Sequence, residues 1–508
     1  MIFARGARLL RSPFLRAVTL VGACAASVSL GGCASTADVA SSREARLDAI
    51  PAEWDRPDSP GGVLAVIENG RIVHVKPFGM ANLEHGIPNS VDTVFDIGST
   101  SKQFTASCVA LLEQQGKLSL TDDVRKHVPE LRDYGHTITL RHLLNHTSGL
   151  RDYLVLYSLA GVSTEDYTTK EGALDLIARQ YQLDFEPGSE WAYSNTGYFL
   201  LSIVVERVSN LTLPRFAAQY LFEPLGMTHT HVHDDHKLIV PRRAQAYTKR
   251  EDGTFGIDMS DFEQTGDGAV MTTVGDLALW DENFYTGRVG TRLLIDTLQT
   301  RAKRNDGKEL GYALGLMLGE HRGLPTVRHG GAWAGYRAEL LRFPGEHTSF
   351  VCLANLSDVD ASALCHRAAD VWLESKLTPV SVADAKSTGA PSSNETVSAP
   401  PASAEAKAPF EPSIVDIVSL RGTYESEELA VKYVIRGEDR NLEIGVVGRG
   451  YTPMTPIEHD VWDVGGAKLT VLHNANGRIV GFSIDAGRVR RLTFLRPDAL
   501  TRKNVRAD

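Results

Sequence analysis

Ser99 and Lys102 stand three positions apart in FDIGSTSKQFTASCVALLEQQGK, where an apolar pattern of helical period begins. On a helix starting near Ser99 the two side chains share one face, one turn apart, and the backbone N–H of the first turn faces the same space. A serine hydroxyl is a poor nucleophile at neutral pH, and a lysine desolvated in a cleft has its pKa lowered enough to take the hydroxyl proton. The pair therefore fits an acyl-transferring serine. It equally fits a capping serine beside a solvated lysine, because a chain of 508 residues holds on the order of one S-x-x-K match by chance.

Two further patterns, each present once, bear on that choice. Tyr193-Ser194-Asn195 lies in EPGSEWAYSNTGYFLLSIVVERVSN, and His329-Gly330-Gly331 lies in VRHGGAWAGYRAELLRFP at the entry to a strand hairpin. Singly, such a tyrosine reads as a core aromatic and such a histidine as a surface one. An edge strand that approaches a substrate backbone has no room for bulky Cβ groups, which gives the two glycines a purpose. A rival signal is His231-x-His233-x-Asp235-His236, a spacing that can hold zinc and activate a water. The glycines that usually follow that zinc pattern are absent, and a solvated His-rich loop is the plainer reading, so no metal is expected. Asp122-Asp123 and Asp234-Asp235 read as solvated loop carboxylates. Neither a phosphate loop nor a dinucleotide fingerprint is present, and no organic cofactor is implied.

The elements that must carry these residues fall into blocks. Arg5, Arg8, Arg11 and Arg16 precede the apolar AVTLVGACAASVSL, the pattern of an export signal rather than a bilayer span. The junction LGGC ends at Cys33 and resembles a bacterial lipobox, so residues 1–33 are expected to be a signal whose cysteine is lipidated. Residues 34–60 then form a tether. The expected location is the periplasm, lipid-anchored to the cell envelope; Ala34 after the cysteine favours the outer membrane. From 61 to 377, strand-like runs (GGVLAVIENG, RIVHVKPFGMA, YRAELLRFP, TSFVCLANLSD) bracket a helical middle, which predicts one α/β sheet built from both ends with a helical insertion. Residues 378–415 are a linker rich in Ala, Ser and Pro, 416–500 alternate in the manner of a small antiparallel barrel or sandwich, and 501–508 are a tail. Of five cysteines, Cys24 and Cys33 belong to the signal region. Cys108, Cys352 and Cys365 are an odd remainder, expected as buried hydrophobes. A formal net charge of -10 offers no basic face to nucleic acid, so a small-molecule or peptide substrate is the expected partner.

Taken jointly, the order Ser-Lys, Tyr-Asn, His-Gly-Gly resembles the penicillin-recognising serine hydrolases: class C β-lactamases, D-alanyl-D-alanine carboxypeptidases, D-aminopeptidases and related esterases. TLRHLLNHTSGL, EPLGM at 223–227 and GDGAVMTTVGDLALW at 266–280 extend the likeness over most of 61–377. The resemblance implies a β-lactamase-like α/β fold, an antiparallel sheet flanked by helices beside an all-helical subdomain, with the active site between them. It implies that Ser99 is acylated, Lys102 assists its activation, Tyr193 exchanges a proton with the serine and the leaving group, and Asn195 orients substrate. It places the oxyanion between the N–H groups of Ser99 and Ala332. Which of Lys102 and Tyr193 is the base is left open by the family.

His329 departs from the Lys-Thr-Gly of many β-lactamases. A histidine titrating near neutrality gives less charge to a substrate carboxylate, and Gly330 gives no hydroxyl. Efficient β-lactam hydrolysis is therefore not expected, and D-amino-acid peptides or small carboxylic esters fit better. A β-lactamase, a penicillin-binding carboxypeptidase and an envelope sensor without turnover are the alternatives. Loss of the C-terminal β domain is expected to alter specificity more than chemistry.

Overall fold

The computed structural model describes residues 42–379, 410–438 and 440–500. The expected signal with Cys33, the start of the tether, most of the linker and the tail lie outside the described residues.

Helix α1 (Arg43–Asp48) leads into strands β1 (Gly62–Glu68) and β2 (Arg71–Phe78). A helical region follows, containing α2 (Lys102–Gln114), α3 (Leu140–Leu144), α4 (Tyr153–Leu159) and α5 (Asn195–Ser209). The chain then returns to the sheet with β3 (Met317–His321), β4 (Leu324–Trp333), β5 (Tyr336–Phe343) and β6 (Thr348–Ala354), capped by α6 (Ala361–Trp372). The strands pair antiparallel throughout in the order β3-β4-β5-β6-β1-β2.

The hydrophobic pattern explains why β1 and β6 are central. Successive side chains point to opposite faces, and in GVLAVIE both sets are apolar and buried. Val63, Ala65 and Ile67 join the core shared with α2 and α5, while Leu64 and Val66 meet Phe350, Cys352 and the inner face of α6. A strand covered on both faces reads as a continuous apolar run. Leu47 and Ile50 belong to the second of these cores, so the folded domain begins at Arg43 and not at residue 61. A few scattered apolar side chains among Ala, Ser, Pro and charged residues are a weak signal, which is why 34–60 reads as tether throughout. Cys108, Cys352 and Cys365 are buried and unpaired, as expected.

After Thr378, whose N–H donates to Arg322 O, the described chain resumes at Phe410. Helix α7 (Ile414–Leu420) starts on a capping box in which Ser413 and Asp416 each bond the other's backbone, inside the stretch expected as linker. Eight strands follow: β7 (Gly422–Ser426), β8 (Val431–Glu438), β9 (Asn441–Val446), β10 (Tyr451–Glu458), β11 (Val461–Val464), β12 (Ala467–His473), β13 (Ile479–Ala486) and β14 (Val489–Leu495). They form a closed barrel in sequence order, with β7 registered on β14 through Glu425 and Leu495. Tyr424, Tyr433, Phe482 and Phe494 fill its interior.

The barrel is joined to the first domain through a buried arginine. Arg151 donates to Glu428 Oε1 at 2.7 Å and to the Arg490 carbonyl at 2.7 Å, and its Nε lies 3.4 Å from Asp184 Oδ1. Arg490 N–H donates to Asp184 Oδ1 at 2.8 Å, and Tyr433 hydroxyl donates to Leu159 O at 2.6 Å. Removing one partner of a buried ion pair leaves the other charge uncompensated. Arg151→Ala is therefore expected to cost about 3–5 kcal/mol, read as a lower urea midpoint for the whole chain. A loss under about 0.5 kcal/mol, the scale of an ordinary surface change, would contradict this account.

Candidate active site

The turn Gly98–Ser101 is 3-10 and runs directly into α2. Ser99 thus sits one turn ahead of the helix proper, with Lys102 at its first residue. Gly98 takes a φ of +47°, and an added Cβ would lie 2.8 Å from Ala332 N, so this turn packs directly on the β4 backbone. Gly331 is tighter still, since a Cβ there would come within 1.9 Å of Ile97 O. Thr100 hydroxyl donates to His329 O at 3.1 Å. Strand β3 pairs β4 only as far as Arg328, which leaves His329–Trp333 paired on one side by β5 and open towards Ser99 on the other. The glycine at 331 is therefore demanded by the seating of β4 against the serine turn, a constraint internal to the protein rather than one set by substrate.

Lys102 is wholly buried while Ser99 is half-exposed. The lysine Nζ reaches Ser99 Oγ at 3.1 Å, Asn195 Oδ1 at 2.9 Å and the Asp267 carbonyl at 2.6 Å. Burial holds its pKa far below the usual ammonium range, against the pull of Asp267 and Asp152, with Arg488 adding to the fall. Asp267 is itself buried, accepts the Tyr153 hydroxyl at 3.0 Å, and has its pKa raised by desolvation.

Asn195 opens α5. Its backbone N–H and Nδ2 donate to Asp152 Oδ2 at 2.7 and 2.9 Å, which turns Oδ1 towards Lys102. Asp152 in turn caps α4, its Oδ1 accepting from the N–H groups of Leu154 and Val155. Asn195 is thus engaged with Lys102 and Asp152, beyond the substrate-orienting role expected for it.

The Tyr193 hydroxyl is buried, with the Ser99 hydroxyl as its neighbour and no well-formed hydrogen bond among the described residues. Burial raises its pKa well above the ordinary phenol value, although the nearby Ser99 and the Arg488 guanidinium pull the other way. Its ring packs against that of His146, tilted by 34° with the centres 4.2 Å apart, and Lys102 Nζ lies 4.9 Å from its centre.

His329 differs most from expectation. It is buried, its Nδ1 lies 2.7 Å from Gly330 O, and its Nε2 lies 3.1 Å from the Tyr312 hydroxyl. A carbonyl only accepts, so the proton is on Nδ1 and Nε2 accepts from the tyrosine. Burial, reinforced by Lys102, pushes its pKa down to about 3. The side chain is a neutral wall of the cleft and gives a carboxylate no charge at neutral pH.

These groups line a cleft of about 1130 Å³. Ser99, Tyr193, Asn195, His329, Gly330, Gly331 and Ala332 all border it, and the barrel contributes Gly487, Arg488 and Arg490. The His-rich segment is not gathered as its spacing suggests. Asp235 and His236 group with Glu263, whereas His231 and His233 contact each other at 3.4 Å.

Sequence reasoning missed Asp152, Asp267, His146, Tyr312 and Arg488. Asp152 had a readable signal, an acidic residue directly before the apolar helix YLVLYSL; Arg488, in a strand turn far along the chain, had none.

Fold and site together define a serine hydrolase of the penicillin-recognising type. The Beta-lactamase family model matches residues 47–371, and the chain belongs to that family. It is 29% identical over 311 residues to penicillin-binding protein 4* of Bacillus subtilis (strain 168), covering 58% of this chain and 68% of that one. It is also 29% identical over 316 residues to a D-aminopeptidase of Brucella anthropi, covering 62% of this chain and 59% of that protein's length. The octameric penicillin-binding protein homologue from Pyrococcus abyssi has a similar fold, with a TM-score of 0.58 at 22% identity over 89% of this chain and 99% of that one.

Gly331→Ala is expected to push β4 off the serine turn and lower kcat by about 100-fold, the scale of a 1 Å misplacement in a catalytic site. Ester hydrolysis read beside thermal melting checks this, and near-normal kcat with intact folding would contradict it.

Proposed function

We propose that this protein hydrolyses amide bonds of small D-amino-acid-containing substrates through an acyl-enzyme at Ser99, with Lys102 as base. The observation that carries the reading is the set of three oxygen atoms around Lys102 Nζ, two of them obligate acceptors and the third a hydroxyl that can donate. Asn195 Oδ1 and Asp267 O can only accept, so a neutral lysine spends its two N–H bonds on them and its lone pair is left for the Ser99 hydroxyl proton. Burial favours that neutral form.

Ser99 Oγ attacks the substrate carbonyl carbon as its proton passes to Lys102, and the oxyanion forms between the N–H groups of Ser99 and Ala332. Fixed donors at that point contribute several kcal/mol, about 3 per donor in comparable sites. Tyr193, held as a phenol by burial, carries the proton to the leaving amine. Water then attacks the ester by the reverse route.

The amide preference is supported by the D-aminopeptidase relatives, of which the chain spans about three-fifths. The neutral His329 argues against substrates that need a cation there, β-lactams among them. The basic n-region, apolar stretch and LGGC junction support a reading in which the chain is exported and lipidated at Cys33, with the periplasm as the proposed location. Cys33→Ser is expected to move it from the membrane to the soluble fraction; unchanged membrane association would remove the anchor.

The unaltered protein and Ser99→Ala are to be compared on D-alanine p-nitroanilide, p-nitrophenyl acetate and a chromogenic cephalosporin. Cleavage of the anilide by the unaltered protein alone is expected, with little cephalosporin turnover. Ester turnover without anilide turnover would replace the peptidase reading with an esterase one. Since the neutral amine is the active form, kcat/KM should fall on the acid side and reach its plateau well below pH 10, where an unshifted lysine of pKa about 10.4 would still be climbing.

A further inference from the structure

We propose that Arg488, supplied by the barrel, is a positioning residue of the Ser99 centre, so that the barrel is part of the catalytic unit. The inference rests on the acyl-transfer reading above. The turn between β13 and β14 brings Gly487 and Arg488 to the cleft. The Arg488 carbonyl accepts the Asp152 N–H at 3.1 Å, which fastens the tip of the turn to the start of α4. Its guanidinium lies 3.8 Å from Asp152 Oδ2 and 4.7 Å from the centre of the Tyr193 ring.

Asp152 Oδ2 is the same atom that receives both N–H donations from Asn195. One carboxylate oxygen therefore links the barrel's arginine to the amide that aims Lys102 at Ser99. The turn itself is held firmly: Val489 is fully buried, and Arg490 is clamped by Arg151 and Asp184.

The charges facing Lys102 are the carboxylates of Asp267 and Asp152 and the guanidinium of Arg488; those facing Tyr193 are Arg488, Asp267 and Asp152, with the Ser99 hydroxyl beside it. His146 and His329 complete the surroundings as neutral rings, both with pKa lowered by burial. Loss of the Arg488 charge leaves Asp152 and Asp267 unopposed, so Lys102 keeps its proton to a higher pH. Loss of the guanidinium also frees the carboxylate that orients Asn195. Both effects fall on the chemistry of the serine, contrary to the expectation that loss of the β domain alters specificity more than chemistry.

The test uses the full chain with Arg488→Gln and Arg488→Lys, and follows phosphonylation of Ser99 by an alkyl fluorophosphonate through intact mass across pH. In that reaction an Oγ–P bond forms, the P–F bond breaks with fluoride leaving, and the serine proton passes to Lys102, so it reports serine activation whatever the natural substrate. For Arg488→Gln the acid limb is expected to move up by about one pH unit, which lowers the rate about tenfold below the limb. Arg488→Lys is expected to keep the limb near its original place. A Gln variant labelled at the original rate with the original limb would overturn the proposal while leaving Ser99 as nucleophile. Equal slowing of both variants with an unmoved limb would overturn it in favour of a general packing role. Failure of the unaltered protein to be labelled at Ser99 would overturn both this inference and the acyl-enzyme reading.

Discussion

The site depends on keeping an amine out of water. Lys102 has no contact with solvent, and a lone ammonium in such a place is costly unless it is paired or loses its proton. Among the described residues no carboxylate makes a direct salt bridge with it. The protein gives it a carbonyl and an amide oxygen at hydrogen-bond distance, with Asp267 and Asp152 acting through the field rather than by contact. The resulting balance leaves, 3.1 Å from the Ser99 hydroxyl, a lysine whose pKa is pulled down by burial. The lowered lysine pKa is thus a property of burial, and the packing of α2 against α5 and the sheet is what maintains it.

That burial requires β4 to lie almost on top of the serine turn, and the requirement explains several features at once. Glycines at 98 and 331 remove the atoms that would keep the two backbones apart. β3 begins only opposite Arg328, which leaves the rest of β4 open towards the cleft. His329 is drawn into the wall between Gly330 and Tyr312, so a residue that would titrate near neutrality in water becomes a fixed donor and acceptor pair. Its neighbours, not its residue type, decide what it can offer a substrate.

Much of this was legible from residue order. The strands around Ala65, Leu341 and Phe350 were readable because apolar residues occupy both faces, and Ser99, Lys102 and Tyr193 were readable because three rare patterns occur in one order. The closed barrel was half legible, since alternation marks strands but not whether the first meets the last. Leu47 and Ile50 were missed because two apolar side chains do not announce a helix. Asp152 announced only its helix cap, and its role towards Asn195, like the roles of Asp267 and Arg488, was missed for a deeper reason. Each acts through a partner distant in the chain, and no local period or spacing records a contact between residue 152 and residue 488.

The last strand of the barrel has divided loyalties. Towards its end it meets β7 in register at Glu425 and Leu495, yet at its start Arg490 and Arg491 bond the chain around Leu183, Asp184 and Glu190 in the other domain. A strand whose hydrogen bonds and ion pairs are shared in this way cannot peel from one body without disturbing the other. The two domains should accordingly melt as a single cooperative unit in calorimetry, despite an architecture that looks like two independently folding modules joined by a linker.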